Sequence, residues 1–312
     1  MPGYHRMIYA HLQVLQGRYR EALAELEAGI PKVNEPTSLM AHLFALSGKT
    51  VALLHSGRFG ELMQILHSGR QMAAKNGNDP WLFAFREGWL RTVVLDFDGA
   101  RRLCEEVSAA ATEYPTGQPE TIARLAAGYA ALERGRDDEA EKSFREILDP
   151  ELTPKFFLHW YWRMNARLGL CNVWLTSGRR SEARREADAF LEAALSTDDP
   201  NLQALAWEAQ ARVAVAEEDW KSAHEDIRKA LAVLERFEIP TVAWRIHATR
   251  SELYRRAKDG EAAEEHRAQA EALVRGLASS FAPDEPLGKS LLAAAQARGI
   301  LRAKPWNGAA AV

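Results

Sequence analysis

The feature that most constrains the fold of this chain is a short phrase that returns about every forty residues. It consists of a small or polar breaker, an aromatic residue and then an alanine that opens an apolar pattern, as in Gly17-Arg18-Tyr19-Arg20-Glu21-Ala22. Self-similarity at a fixed period of this length is typical of repeat proteins, in which each unit is one supersecondary element. The residues in the alanine position are Ala22, Leu62, Ala100, Ala140, Ala183, Ala223 and Ala263, at intervals of 40, 38, 40, 43, 40 and 40 residues.

Each period predicts two helices. Apolar residues recur at steps of three and four before the breaker, as in 121–132, and after it, as in 140–148, which is the helical period. Prolines such as Pro200 and Pro240 stand where new helices would begin. The sequence therefore predicts an all-α protein, a right-handed superhelical solenoid of about seven antiparallel helix pairs.

Small residues at fixed positions predict how the helices pack. Two antiparallel helices approach closely only where the contacting side chain is small, which gives a structural role to Ala22, Ala100, Ala140, Ala183, Ala223 and Ala263. Gly88 and Gly128, in the first helices, serve the same purpose. The aromatic residues after the breaker are expected to fill the gap beside the next helix, and they are Tyr19, Phe59, Phe97 and Trp220.

These features resemble the tetratricopeptide repeat. That family has a small residue in its first helix, a Gly-x-Tyr turn, and an alanine followed by a large apolar residue in its second helix. The fourth repeat matches through Gly128, Gly135, Ala140 and Phe144, and the first through Gly17, Tyr19, Ala22 and Leu26. The usual period of that family is 34 residues, and each unit here is longer. A two-helix period of this length also fits HEAT-type repeats, although the Gly-x-aromatic turn favours the tetratricopeptide interpretation.

The long repeats are similar to the MalT-like tetratricopeptide arrays found in large bacterial regulators. The segment 281–292 resembles the short helix that often closes those arrays, except that Gly288 stands where the family tends to have arginine. The resemblance implies a sensor or scaffold region, which an effector domain would precede in a longer protein. We predict a repeat array over residues 1–282, a capping helix over 283–304 and a disordered tail over 305–312.

Composition narrows the classes of partner. The chain has 312 residues and a formal net charge of −3, which gives no electrostatic reason to bind nucleic acid or an anionic membrane. Cys104 and Cys171 are far apart and are typical of buried thiols in a reducing compartment. No stretch is long and apolar enough to span a bilayer. We therefore expect a cytoplasmic protein.

Catalytic and cofactor motifs are incomplete. Ser47-Gly48-Lys49-Thr50 resembles the end of a phosphate-binding loop, but Leu43 stands where the motif requires glycine. His224-Glu225 opens a zinc-protease motif, but Arg228 replaces the second histidine. The expectation is a protein that is not an enzyme and has no cofactor and no metal.

The inner wall of such a superhelix is built from the first helices, and a peptide can lie along it. Counting back from each breaker predicts a groove that is aromatic in its middle and charged towards its C-terminal end: Phe44, Phe85, Trp89, Tyr129, Trp160, Asn172, Arg212 and Arg255. Aromatic residues and arginine favour a protein or peptide partner with apolar and acidic anchors. The same aromatic residues could instead pack between helices. A sugar-like small ligand stacked on Trp89, Trp160 or Trp162 is the alternative function.

Overall fold

The structure, a computed structural model, describes residues 2–29, 36–76, 81–110, 117–152 and 159–301. Those residues form fifteen α-helices and no strand, which confirms the predicted all-α class. Each odd-numbered helix from α1 to α13 packs against the even-numbered helix that follows it, and α15 packs against α14. The helices are α1 Pro2–Leu15, α2 Tyr19–Gly29, α3 Pro36–His55, α4 Phe59–Lys75, α5 Trp81–Val93, α6 Phe97–Ala110, α7 Gln118–Glu133, α8 Asp137–Leu148, α9 His159–Thr176, α10 Arg180–Leu195, α11 Pro200–Ala216, α12 Trp220–Arg236, α13 Pro240–Arg256, α14 Gly260–Ser279 and α15 Pro286–Ala297.

All seven helix pairs turn in the same way. A residue in the left-handed conformation stands two positions after the end of each first helix. The N–H of the residue that follows it donates to a carbonyl five residues back, as in Arg18 to Gln13 at 2.9 Å. This is the Schellman arrangement, which usually takes glycine because a Cβ is strained there. Four of the turns have glycine and three do not; the left-handed residues are Gly17, Gly57, Leu95, Gly135, Gly178, Glu218 and Lys258.

Small residues lie at the helix contacts. Five of the six repeat alanines are fully buried, and Ala263 is 7% exposed. A Cβ added to Gly128 would lie 2.6 Å from the Phe144 ring, and one added to Gly88 would lie 2.2 Å from Cys104 Sγ. Close approach of α7 to α8 and of α5 to α6 therefore depends on the absence of a side chain at these two glycines.

The array winds far enough for its ends to meet. The Gly60 N–H donates to the Ser280 carbonyl at 2.9 Å, and the rings of Phe59 and Phe281 lie 5.0 Å apart. The turn between α1 and α2 meets the start of α11, where the Asn201 amide donates to the Tyr19 hydroxyl. We call these contacts between α1–α4 and the segment from α11 to Phe281 the closing seam.

The closing seam explains why the four turn aromatics differ in burial. Tyr19 and Phe59 are 5% and 0% exposed, because the C-terminal repeats cover them. Phe97 is buried against Tyr129, with the rings 5.2 Å apart. Trp220 is 40% exposed, contrary to expectation, and none of the closing-seam contacts named above covers it.

The last helix, α15, begins at Pro286 and buries Leu287, Leu291 and Ala295. It lies inside the segment 283–304 that was expected to cap the array. The expected tail, 305–312, lies outside the described residues. In the part of the chain that the structure describes, no helix has the length and apolar character needed to cross a membrane.

Candidate functional site

The first helices of the repeats surround one central cavity of about 420 Å³. This volume lies within the range of pockets that bury small ligands. Its wall takes residues from α3, α5, α7, α9, α11 and α13, and Arg298 comes in from beyond α15. Because consecutive first helices contribute side by side, the cavity is the inner surface of the superhelix, narrowed by the closing seam.

One part of the wall is aromatic. Trp89 lies at the centre of the cluster, with ring centroids 5.1 Å from Tyr161, 4.9 Å from Trp162 and 5.3 Å from His55. The contacts are edge-to-face, the geometry that aromatic pairs prefer. His55 also stacks on Tyr19, so the cluster joins the cavity to the closing seam.

Another part of the wall is polar. Glu208 is 2% exposed and accepts a hydrogen bond from Thr249 Oγ1 at 2.7 Å. Arg212 donates through Nη1 to Asn172 Oδ1 at 2.6 Å, while its Nε lies 3.8 Å from Glu208. Arg245 approaches the same carboxylate from α13, with Nη2 3.6 Å from Oε2. Three consecutive first helices, α9, α11 and α13, thus bring together one carboxylate and two guanidinium groups.

The buried histidine of the aromatic cluster is held neutral. Burial, and secondly the positive charge of Arg86, lower the pKa of His55 from 6.5 to about 3. Arg86 lies over the rings of Phe85 and Trp89, 4.7 and 5.5 Å from their centroids. At neutral pH His55 therefore acts as an uncharged aromatic ring in the wall.

A pH titration of stability tests this arrangement. The pKa of His55 is lower in the folded protein than in the unfolded one. Its contribution to the free energy of unfolding is therefore complete above pH 6.5 and is lost as the pH falls towards 3. We expect the free energy of unfolding to fall by about 1.4 kcal/mol per pH unit from this group within that window. His247, whose burial lowers its pKa to about 4, adds a loss of the same sign. Burial raises the pKa of Asp199 to about 6, so this group has the opposite effect: its contribution to the free energy of unfolding rises as the pH falls from 6 to 3.8.

His55→Gln isolates the contribution of His55, because the other groups remain. Denaturant unfolding at several pH values should show a shallower acid loss in this variant than in the wild type. The same slope in both proteins would contradict a neutral buried His55.

Four of the eight predicted groove residues line the cavity. Trp89 and Asn172 are 5% and 8% exposed, and Tyr129 and Arg212 are half-buried beside them. Burial raises the pKa of Tyr129, while Arg245 and Arg212 oppose the rise. The Tyr129 hydroxyl thus lies within electrostatic reach of the polar part of the wall.

Three of the other four lie outside the cavity wall. Phe85 is 1% exposed and packs in the core against Trp81, with the rings 5.6 Å apart. Trp160 is half-buried with its edge against Tyr161, but it is outside the cavity wall. The Arg255 side chain is 68% exposed and pairs with Glu252, away from the cavity. Phe44 belongs to α3, and its side chain lies outside the described residues.

Counting back from the breakers does not reach several wall residues, among them Tyr161, Arg245 and Thr249. Trp162, which the sequence suggested only for a sugar-like ligand, also lines the wall. The aromatic run around Tyr161 was visible in the sequence, but its inward-facing members could not be distinguished from its core members. Nothing in the sequence indicated Arg245, because it stands nearer the start of its helix than the predicted positions do.

Comparison with solved structures places the fold among tetratricopeptide-type solenoids. NprR in complex with its cognate peptide NprX matches with a TM-score of 0.61 and 15% identity, over 96% of this chain and 88% of that chain. A Rap protein complexed with competence and sporulation factor matches with a TM-score of 0.59 and 11% identity, again over 96% and 88%. Cut9, in the APC/C hetero-tetramer Cut9-Hcn1, matches with a TM-score of 0.53 and 15% identity over 90% of this chain, which spans only 53% of that chain.

These matches confirm the tetratricopeptide-type repeat predicted from the sequence. No protein-family model matches the chain, and no curated protein is significantly similar to it in sequence.

Proposed function

We propose that this protein is a non-catalytic binding protein that takes up a short peptide segment in its central cavity. The observation that carries the proposal is the convergence of six first helices on one cavity with an aromatic and a polar part. Aromatic side chains supply apolar anchors, and the arginines supply directional bonds to acidic groups. A cavity of about 420 Å³ limits the buried part of the ligand to a short segment.

Two of the structural neighbours support the proposal. NprR was solved with a peptide, and the Rap protein was solved with competence and sporulation factor. By analogy we propose a role in bacterial signalling or transcriptional regulation in the cytoplasm, in which peptide binding would control an effector attached to the array or recruited by it.

The second candidate ligand is a sugar-like small molecule. It is favoured by the modest size of the cavity and by Trp89 and Trp162 on its wall, since indole rings can stack on a sugar face. This ligand would make the chain a sensor like the MalT-like arrays.

Filling the cavity tests the function. Ala248 lies on the cavity wall, so Ala248→Trp should occupy the space that a ligand needs. Ala232 is exposed on α12, and Ala232→Trp is the matched control. The wild type and both variants would be incubated with a randomised tetrapeptide mixture and separated by size exclusion, and the retained peptides would be identified by mass spectrometry.

We expect retention of a subset of peptides by the wild type and by Ala232→Trp, and none by Ala248→Trp. Retention that persists in Ala248→Trp would place binding outside the cavity.

A thermal-shift screen with sugars tests the second candidate, because a ligand that binds only the folded state raises the midpoint of thermal unfolding. At a hundredfold excess over Kd such a ligand stabilises the folded state by about 2.7 kcal/mol. A shift with sugars and no retained peptide would favour that candidate.

A further inference from the structure

The charges around the central cavity do not balance. Arg212 and Arg245 share a single carboxylate, that of Glu208. The other charged pair on the wall, Arg298 and Glu133, is internally neutral. Among the described residues that line the cavity, the formal charge is therefore one positive. A net charge in a partly dry site is stabilised by a counter-ion.

Hydrogen-bond donors are also left over. A guanidinium has five N–H groups. Arg212 uses one on Asn172, whereas the guanidinium of Arg245 donates no hydrogen bond to any described residue, since its approach to Glu208 is 3.6 Å. That distance lies beyond the usual range of a hydrogen bond. The donors of Arg245 are available to a group inside the cavity.

An acceptor beside these donors is unsatisfied as well. Glu208 Oε2 is buried and has no hydrogen-bond partner among the described residues, although Oε1 is bonded to Thr249. Buried polar atoms of this kind are costly when they remain unpaired. A ligand that completes the site would therefore present an N–H to Glu208 and an anionic group to the arginines.

A peptide carboxylate combines these features. In a C-terminal residue the backbone N–H and the carboxylate are attached to the same Cα, and in an aspartate or glutamate the side-chain carboxylate lies a few bonds from the amide. Arginine pairs with carboxylates through parallel N–H···O bonds, which are stronger than neutral hydrogen bonds. The Trp89, Tyr161 and Trp162 rings on the aromatic part of the wall are suited to an apolar side chain of the same ligand.

We infer that the cavity anchors its ligand by a carboxylate held between Arg212 and Arg245, with Glu208 accepting an N–H from the ligand. The inference rests on the proposed function, that the cavity binds a peptide. The carboxylate can come from the C-terminus or from an acidic side chain, and the experiment separates these two sources.

The test uses three tetrapeptide mixtures in the size-exclusion assay. One has free C-termini and all residue types, one is amidated at the C-terminus, and one has free C-termini but no aspartate or glutamate. We expect peptides to be retained from the first mixture. If no peptide is retained from the amidated mixture, the carboxylate comes from the C-terminus. If none is retained from the third mixture, it comes from an acidic side chain.

Variants of the charged wall residues test whether Arg245 and Glu208 contribute to binding of a retained peptide. Arg245→Gln should weaken binding of a retained peptide by about tenfold or more, while Arg245→Lys, which keeps the charge, should weaken it less. Glu208→Gln removes the competing negative charge and should weaken binding less than Arg245→Gln. Arg228 is exposed on α12, so Arg228→Gln is the control for loss of a positive charge and should bind as the wild type does. Circular dichroism shows whether each variant is folded.

The possible outcomes distinguish the two proposals. If peptides without aspartate or glutamate are retained from the amidated mixture as well as acidic ones are, no carboxylate is needed. This outcome overturns the carboxylate anchor and leaves the peptide-binding function standing. Binding unchanged in a folded Arg245→Gln variant also overturns the anchor. Absence of any retained peptide from any mixture overturns the peptide-binding function itself.

Discussion

Phe144→Ala is expected to lower the free energy of unfolding by about 3–5 kcal/mol, the cost of removing a buried phenylalanine. Phe144 is fully buried on α8, and its ring lies against two glycines on different helices, Gly128 on α7 and Gly169 on α9. A Cβ added to either glycine would come within 2.6 Å of the ring. The side chain therefore fills the junction of three helices, and its loss leaves a cavity that rigid helix backbones close poorly.

Denaturant unfolding of Phe144→Ala and Trp220→Ala measures the effect. Trp220, an aromatic residue that is 40% exposed, is the control, and its loss should cost less than the loss of Phe144 because part of its surface already lies in water. A double-mutant experiment tests the contact between the Phe144 ring and Gly128 directly. Gly128→Ala should destabilise the wild type through its clash with the ring and should be tolerated in the Phe144→Ala background. The coupling between contacting residues is typically about 0.5–3 kcal/mol. Additive effects would show that the ring does not occupy this junction.

Gly17→Ala is expected to be the most disruptive glycine substitution at a repeat turn. Gly17 has a φ of 72°, which an alanine adopts only at a cost of about 1–2 kcal/mol. An added Cβ would also lie 2.4 Å from Pro200 Cγ and 2.9 Å from Phe237 Cδ1, both atoms of the closing seam. Because these belong to rigid rings, we expect a further cost of about 1–3 kcal/mol from overpacking, or separation of the seam.

Gly178→Ala is the matched control. Gly178 has a φ of 74°, and no atom lies within 4 Å of its added Cβ, so it carries the backbone cost alone. Denaturant unfolding gives the difference between the variants, and small-angle X-ray scattering shows whether Gly17→Ala has opened the superhelix. Equal stability and equal scattering of the two variants would contradict tight packing at the seam.

The sequence allowed the repeat, the helix pairs and the turns to be predicted, because those depend on local chemistry. Alanine at the contact position and glycine at the turn are required wherever two helices approach and reverse, so they recur with the period. Three turns were less visible, because Leu95, Glu218 and Lys258 adopt a left-handed conformation that these residue types disfavour. There the neighbouring repeats, and not the residue itself, indicated the turn.

A register that is the same in every repeat predicts the cavity wall only in part. Trp89, Asn172 and Arg212 each stand six residues before their turn residue and line the cavity. In the seventh repeat the wall residues are nearer the start of the helix, as Arg245 is, and Arg255 near its end is exposed. In a superhelix successive first helices are displaced along the superhelix axis. Each therefore faces the cavity with a different stretch of its length.

The closing seam could not be predicted from the repeat, since it depends on how many units complete a winding and on residues far apart in sequence. It has a consequence for unfolding. In an open solenoid each unit contacts only its neighbours, so the ends can fray while the middle persists. Here the two ends are neighbours of each other, and loss of either one uncovers the other, so we expect the described repeats to melt as one cooperative body.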